Sequence, residues 1–249
     1  MNFKDHFSGH AALYAQARPH YPDALFDWIA QQAPSRACAW DVGCGNGQAS
    51  VVLAQRFEQV IATDPSAQQI GNAQPHPRVD YRVESGERTS MADHSADAIT
   101  VAQALHWFDL PRFVEEVKRV GKPGALFAAW TYAGCNVMPQ VDAVIAHLYD
   151  DMLGAYWPPE RRLVDEGYAS LALPFEPVRV PAFEMRMEWS AEQLLAYLSS
   201  WSAAQRYHAA TGRDAVGEVA DVLRNAWGDP QQTRPVRWKL GMRAGRLAA

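Results

Sequence analysis

The sequence predicts an α/β fold: a mostly parallel seven-stranded sheet with an antiparallel last strand, covered by helices in a three-layer sandwich and carrying a helical cap. Three observations predict it. Short apolar runs alternate with helical patterns as far as Trp130, the rhythm of βαβ units. A glycine-rich turn, Gly43-x-Gly45-x-Gly47, joins the first apolar run to the first helical pattern. Beyond Thr131 that alternation gives way to longer helical stretches and two late runs of β pattern.

Residues 37–42 read as the first strand and residues 48–57 as the helix after the glycine turn. Residues 59–63 form the second strand, and Ser66, after Asp64-Pro65, is placed to cap the next helix. Residues 79–83 and 96–102 supply strands three and four. Residues 110–120 are an amphipathic helix, and residues 124–130 a fifth strand after the turn Lys122-Pro123-Gly124. Strands joined by helical crossovers imply a parallel sheet covered on both faces. In the second half, residues 137–153 and 159–170 look helical around the breaker Trp157-Pro158-Pro159. Residues 178–189 alternate like a strand, 190–207 and 213–227 look helical, and 236–244 read as the last strand. No internal repeat is visible. The expected organisation is one domain: an N-terminal lid (1–30), a cofactor-binding core (31–131), cap segments (132–175 and 190–232) and final strands (176–189 and 233–249).

Size and charge bound the function. With 249 residues, 48% of them hydrophobic, the chain can bury a large core. A net charge of -5 argues against a general nucleic-acid binder, which needs surplus Lys and Arg against phosphate. Cys38, Cys44 and Cys135 form no CxxC unit and have no His at metal-ligand spacing, so they read as small buried residues. The start of the sequence lacks the pattern of a signal peptide, and no run reaches the length of a membrane span. A cytoplasmic location is expected.

The glycine turn carries the chemistry. Glycine allows positive φ and lets main chain approach a ligand where a Cβ would collide. The free N–H groups that open the following helix then face a polar ligand. Asp41 precedes the turn, and Asp64 ends the second strand, where an acid accepts hydrogen bonds from ribose hydroxyls. A dinucleotide fingerprint requires a later glycine, but Gln48 stands there. Asp41 would repel a pyrophosphate and suits the ammonium of a methionine group. The spacing therefore favours an adenosylmethionine cofactor.

The segment Trp40-Asp41-Val42-Gly43-Cys44-Gly45-Asn46-Gly47 resembles motif I of the class I S-adenosylmethionine-dependent methyltransferases, whose core is Rossmann-like. Ile61-Ala62-Thr63-Asp64-Pro65-Ser66 is similar to motif II, and Ser85-Gly86-Glu87 lies where the family's adenine-contacting segment follows strand three. Residues 97–108, ending Gln103-Ala104-Leu105-His106-Trp107-Phe108, resemble motif IV, and Val120-Gly121-Lys122-Pro123-Gly124-Ala125 the turn into strand five. Tyr14-Ala15-Gln16-Ala17-Arg18-Pro19-His20-Tyr21-Pro22 is similar to a narrower branch, the trans-aconitate methyltransferase-like proteins.

The resemblance implies S-adenosyl-L-methionine as cofactor. It implies that Asp41, Gly43 and Gly45 hold the methionine end, that Asp64 holds the ribose, that Gly86 with Glu87 meets the adenine edge, and that Cys44 and Pro65 also belong to the cofactor site. Gln103 would lie near the reactive methyl, and Tyr14, Arg18 and Tyr21 would come from the lid. His106 and Gln103 are the catalytic candidates. His106 is read either as a base or, the favoured reading, as a hydrogen-bonded structural histidine. Trp107 and Trp130 are candidates to wall the substrate pocket. Seven of the nine tryptophans lie from Trp107 onward, and Arg161-Arg162 and Arg206 are available cations for a carboxylate, unless they are simply packing and surface residues.

Asp93-His94-Ser95-Ala96-Asp97 reads as a polar turn, and no metal is expected. The Asn/Asp-Pro-Pro-Tyr loop of amino-methylating nucleic-acid enzymes is absent after strand four. The expected activity is methyl transfer to a small-molecule acceptor, with the branch resemblance tipping it toward a carboxylate oxygen. Competing readings are a methyltransferase acting on RNA or another macromolecule, a non-catalytic adenosylmethionine-binding protein, and a nicotinamide-dependent oxidoreductase. Oligomeric state is not legible.

Overall fold

The computed structural model describes residues 19–248. The first half runs α1 (Asp23–Gln32), β1 (Cys38–Val42), α2 (Gln48–Leu53), β2 (Gln59–Asp64), α3 (Ala67–Gly71), β3 (Val79–Val83), β4 (Ala96–Ala102), α4 (Leu110–Val120) and β5 (Gly121–Thr131). The second half runs α5 (Pro139–Ala146), α6 (Arg161–Asp165), β6 (Glu176–Pro177), β7 (Glu184–Trp189), α7 (Ala191–Ser199), α8 (Ser202–Thr211), α9 (Ala215–Trp227), β8 (Arg234–Lys239) and β9 (Gly241–Arg246).

Seven strands form one sheet in the order β3-β2-β1-β4-β5-β9-β6, and β7 pairs with β8 in a separate antiparallel hairpin. The pairs from β3 to β5 are parallel, while β9 runs antiparallel to β5 and β6. The predicted sheet, including its antiparallel last strand, is therefore observed. Successive strand residues point to opposite faces and divide the core in two. Ala39, Ala98, Leu126, Ala128 and Trp130 face α1, α2 and the cap helices. Trp40, Ile99, Val101, Phe127 and Ala129 face α4 and Phe175. The strand order reverses between β1 and β4, and in such sheets a crevice opens there beyond the strand ends.

Four predicted elements differ in the second half. The helix expected over 159–170 shrinks to α6, because Gly167 (φ 59°) and Tyr168 (φ 63°) turn left-handed and end it. The helix expected over 190–207 breaks at Trp201, whose extended backbone separates α7 from α8. The run 178–189 supplies only β7, while Glu176–Pro177 takes the sheet edge. The last run splits after Lys239: β8 belongs to the hairpin, and β9 alone enters the sheet. In each case a uniform sequence pattern spans a change of partner that the pattern does not encode. The helix expected over 137–153 is continuous, as α5 running into the π-helical turn His147–Met152. Of the expected lid, residues 1–18 lie outside the described residues, and α1 packs Leu25, Phe26 and Ile29 into the core.

Candidate active site

The crevice at the carboxyl ends of β1, β2 and β4 is built first from main chain. Gly43, Gly45 and Gly47 all have positive φ (65°, 54° and 84°). The N–H groups of Gly43 and Cys44 donate to Thr63 O at 2.8 and 3.0 Å, which ties the loop to β2. The three glycines are needed for different reasons. A Cβ on Gly43 would stand 2.6 Å from Ala104 Cβ, and one on Gly47 would meet the Tyr81 hydroxyl. A Cβ on Gly45 would have nothing closer than Gln69 Oε1 at 3.8 Å, so this part of the loop leaves bare main chain toward open space. That is a cradle for a ligand rather than a packing contact.

Two carboxylates flank the loop at different depths. Asp41 is wholly buried beneath it, accepting from Ser50 Oγ at 2.6 Å and Thr100 Oγ1 at 3.0 Å. Burial pushes its carboxyl up to about 6, against the opposing pull of those two hydroxyls. Asp64, at the end of β2, is buried as well but keeps 8% exposure, and it holds the loop from the other side. Its Oδ2 accepts from Gly45 N and its Oδ1 from Ser66 N, both at 2.9 Å. Ser66 caps α3 as expected, accepting from Gln69 N. Cys44 is buried, its thiol pushed well above the ordinary range by burial, and Pro65 is half-buried beside Asp64.

Gly86 has tight surroundings, since a Cβ there would lie 2.8 Å from Val42 Cγ1. Glu87 is turned to the chain itself: its Oε1 accepts from Asp109 N at 3.0 Å at the start of α4. Gln48 donates to Pro19 O at 2.9 Å and so fastens the N-terminal segment to α2. Tyr21 stacks edge-on against Trp130 (5.6 Å) and Tyr132 (6.4 Å). Tyr14 and Arg18 lie outside the described residues.

Across the crevice, side chains form the wall. Gln103 ends β4 with φ 56°, an unusual conformation for a non-glycine residue. Its amide is tied to β5: Nε2 donates to Tyr132 O at 2.9 Å, while Oε1 accepts from Thr131 Oγ1 and Tyr132 N. Gln103 thus latches β4 to the end of β5. His106 follows in the 3-10 turn Leu105–Trp107 and shares a 3.0 Å hydrogen bond, through Nδ1, with the Tyr168 hydroxyl. Burial, reinforced by the charge of Arg161, holds the His106 imidazole down to about 4. Trp107 lies against the His106 ring at 4.6 Å and is 38% exposed. Trp130, proposed from sequence to wall the pocket, is fully buried against Phe26 and Tyr21, and its Nε1 has no hydrogen-bond partner among the described residues. It can support the pocket wall only from behind.

Sequence reasoning missed Ser50, Thr100, Thr131 and Tyr168. Ser50 lies one turn into the helix after the glycine loop, a position that invites a contact with Asp41. Tyr168 carried no signal except the preceding Gly167. Of the Asp93–Asp97 stretch, Asp93 to Ser95 form a polar turn into β4, with Asp93 paired to Arg119 at 2.6 Å and His94 Nδ1 bonded to Gly121 O, while Asp97 is buried in β4 and paired to Lys122. No helix among the described residues is long and apolar enough to cross a membrane.

Comparison with known proteins bears on this geometry. Residues 40–129, which include the loop, Asp64 and His106, match the family described as "Methyltransferase domain". A Dictyostelium discoideum protein named as a methyltransferase is 34% identical over 229 residues, covering 90% of this chain and 87% of that protein. A Mycobacterium tuberculosis protein also named as a methyltransferase is 34% identical over 119 residues, about half of each chain (47% and 48%). Among solved structures, one described as a type II methyltransferase from Anaeromyxobacter dehalogenans is 47% identical, with a TM-score of 0.89 over 93% of this chain and 99% of that one. A structure from Anabaena variabilis, 20% identical with a TM-score of 0.58, shares the fold.

Proposed function

The chain belongs to the S-adenosylmethionine-dependent methyltransferases, and from that premise we propose that its acceptor is a small molecule, methylated on an oxygen that arrives already ionised, as a carboxylate does. The observation that carries this reading is the state of His106. A group held to about 4 is neutral at physiological pH but is too weak a base to remove a proton from a phenol of pKa near 10. A carboxylic acid, with pKa near 4, needs no base at all.

When bound, the cofactor supplies a methyl group on a sulfonium, which is already an activated leaving group. The chain's own contribution is then alignment and exclusion of water. The open main chain at Gly45 and the carboxylate edge of Asp64 fit the nucleoside end of such a cofactor: Asp64 steadies the loop N–H and accepts from ribose hydroxyls. Asp41 acts from below, through its charge, rather than by touching the ammonium. Cys44 and Pro65 complete the floor, and Gly86 with Glu87 edges the base. Tyr14, Arg18 and Tyr21 belong to the covering segment in this reading.

On the acceptor side the hydrogen-bond chain sets a direction. Thr131 donates to Gln103, and in this reading the Tyr168 hydroxyl donates to His106 Nδ1. His106 Nε2–H is then the donor that orients an ionised oxygen, and the imidazole removes no proton from it. Trp107 supplies an apolar wall. The trans-aconitate branch rests mainly on residues 14–22, most of them outside the described residues, and is part of this proposal only as the source of the small-acid preference. The free Cys38, Cys44 and Cys135 are consistent with a reducing, cytoplasmic setting.

The direct test pairs binding with turnover. Calorimetry should show S-adenosylhomocysteine bound by the wild type and at least tenfold more weakly by Asp64→Ala, the scale of charge-assisted hydrogen bonds worth about 1.5–3 kcal/mol. Unchanged affinity in a folded Asp64→Ala variant refutes the ribose assignment. A labelled-methyl screen should favour carboxylic acids over phenols and amines, and preferential methylation of phenols refutes the ionised-acceptor reading.

A further inference from the structure

Helix α6 packs against the 3-10 turn that carries His106 and Trp107. Its first residue, Arg161, is held with unusual care. The guanidinium lies 4.4 Å from the centroid of the Trp157 ring and 5.2 Å from that of Tyr149. Its Nε donates to the Tyr149 hydroxyl at 2.6 Å and to Asp165 Oδ1 at 3.1 Å. The side chain is only 18% exposed. Yet neither terminal nitrogen has a hydrogen-bond acceptor among the described residues.

Other arginines with substantial cover behave differently. Arg56 uses its terminal nitrogens on Asp23 and Val52 O, and Arg119 on Glu116, Asp93 and Met91 O. Arg234 and Arg246 likewise reach Trp227 O and Gln32. Covered guanidinium donors normally find acceptors, because leaving them unpaired is costly. In Arg161 the aromatic rings and the Nε contacts fix the plane of the fork while its donor end stays unmatched. The fork is also close to the reaction mouth, because α6 packs on the turn that carries His106, and its charge helps burial hold the His106 imidazole down.

The geometry points to Arg161 as a preformed anchor for an anionic group of the acceptor, a carboxylate, held in the plane set by Trp157 and Tyr149 at the cap side of the mouth. This rests on the methyl-transfer reading above and gives it a substrate-recognition element. A planar guanidinium matches a carboxylate through parallel N–H···O bonds, and stacking on two rings lowers the entropy lost when it binds. Each carboxylate oxygen paired in this way keeps a second lone pair, and one of these can face the methyl group. Arg161 in this role positions the acceptor and takes no part in bond making.

The test uses the full chain saturated with S-adenosylhomocysteine, with acetate, benzoate and cinnamate as probes beside their neutral amides. Binding is read by saturation-transfer NMR. The acids should bind the wild type at least tenfold more tightly than the amides. Arg161→Gln should abolish that preference, Arg161→Lys should restore part of it, and Arg186→Gln, an exposed arginine on β7, should leave it intact. Affinity for S-adenosylhomocysteine, measured on the same samples, should be unchanged in every variant, which also reports that each is folded. Equal binding of acids and amides by the wild type, or a preference that survives Arg161→Gln, overturns the inference. Failure of the wild type to bind S-adenosylhomocysteine sinks the methyltransferase reading instead, and the two failures are distinct.

Discussion

Between Gly43 and Gly47 the groups that face the crevice are main-chain, and the side chains nearby serve to hold that main chain still. Between Gln103 and Tyr168 the facing groups are side chains, and it is the backbone that is bent to present them. The first wall uses glycine where left-handed φ is required, and so avoids strain. The second places Gln103 and Tyr168 in the same region of backbone space without glycine, an arrangement that persists only because Thr131, Tyr132 and His106 hold both residues in place. The difference fits the division of labour. A cofactor shared across a family can be held by geometry that tolerates sequence change, whereas an acceptor must be chosen by side chains that can be exchanged.

The largest test of that separation is a pair of glycines, one in each half. Gly43→Ala adds a left-handed side chain 2.6 Å from Ala104 Cβ, and should cost about 2–5 kcal/mol and most of the affinity for S-adenosylhomocysteine. Gly241→Ala places its Cβ 2.4 Å from Gly167 Cα, where β9 meets the turn that presents Tyr168. It should cost about 1–3 kcal/mol and impair methyl transfer while leaving S-adenosylhomocysteine affinity within about twofold. Thermal melts and calorimetry check both. Equal loss of cofactor affinity in the two variants would show that the walls are not separable.

A smaller effect should appear in pH dependence. An acid whose pKa is raised on folding binds its proton more tightly in the folded state, so it favours folding at low pH and withdraws that support as pH rises. For Asp41 the window runs from about 4, its ordinary value, to about 6, with up to roughly 3 kcal/mol lost across it. Asp41→Asn should flatten that part of the stability profile measured by melts from pH 4 to 7. His106 titrates with the opposite sense, because its lowered pKa makes acid destabilising as pH falls from about 6.5 to about 4. The signal is therefore the difference between wild type and Asp41→Asn rather than either curve alone. An unchanged difference across pH would show that Asp41 is not held under strain of burial.

The smallest expected effect sharpens the second wall. Tyr168→Phe removes the hydroxyl that engages His106 Nδ1 and should cost about 1–2 kcal/mol of stability. Turnover should fall several-fold with cofactor affinity unchanged, since no part of the glycine loop is touched. A loss confined to stability, with turnover intact, would reduce the His106–Tyr168 pair to a structural contact.

The cofactor wall was legible because its requirements are local. Glycine spacing, Asp41 and Asp64 lie within one βαβ unit, and the strand–turn–helix pattern places them without long-range knowledge. Ser66 capping α3 was readable for the same reason. What local pattern did not supply was how the side chains are held: Asp41 accepts from Ser50 and Thr100 beneath the loop, Glu87 accepts from Asp109 N, and Gln103 latches β4 to β5. The acceptor wall was scarcely readable. Tyr168 meets His106 across 62 positions, and Arg161 gains its meaning only from Trp157, Tyr149 and the empty donor end of its fork.

The sequence by itself determined the order of strands from residue 37 to Thr131 and the main helices between them, the glycine loop with its two acids, and hence the cofactor class. These follow from φ preferences, capping and alternation, which act between near neighbours. Tertiary structure alone decided that 178–189 serves only the hairpin while 236–244 divides between hairpin and sheet, that Asp41 is wholly enclosed, and that burial holds the His106 imidazole low. Each of those depends on what is brought close from far along the chain, and burial, charge and strand pairing are properties of that neighbourhood and not of the residue.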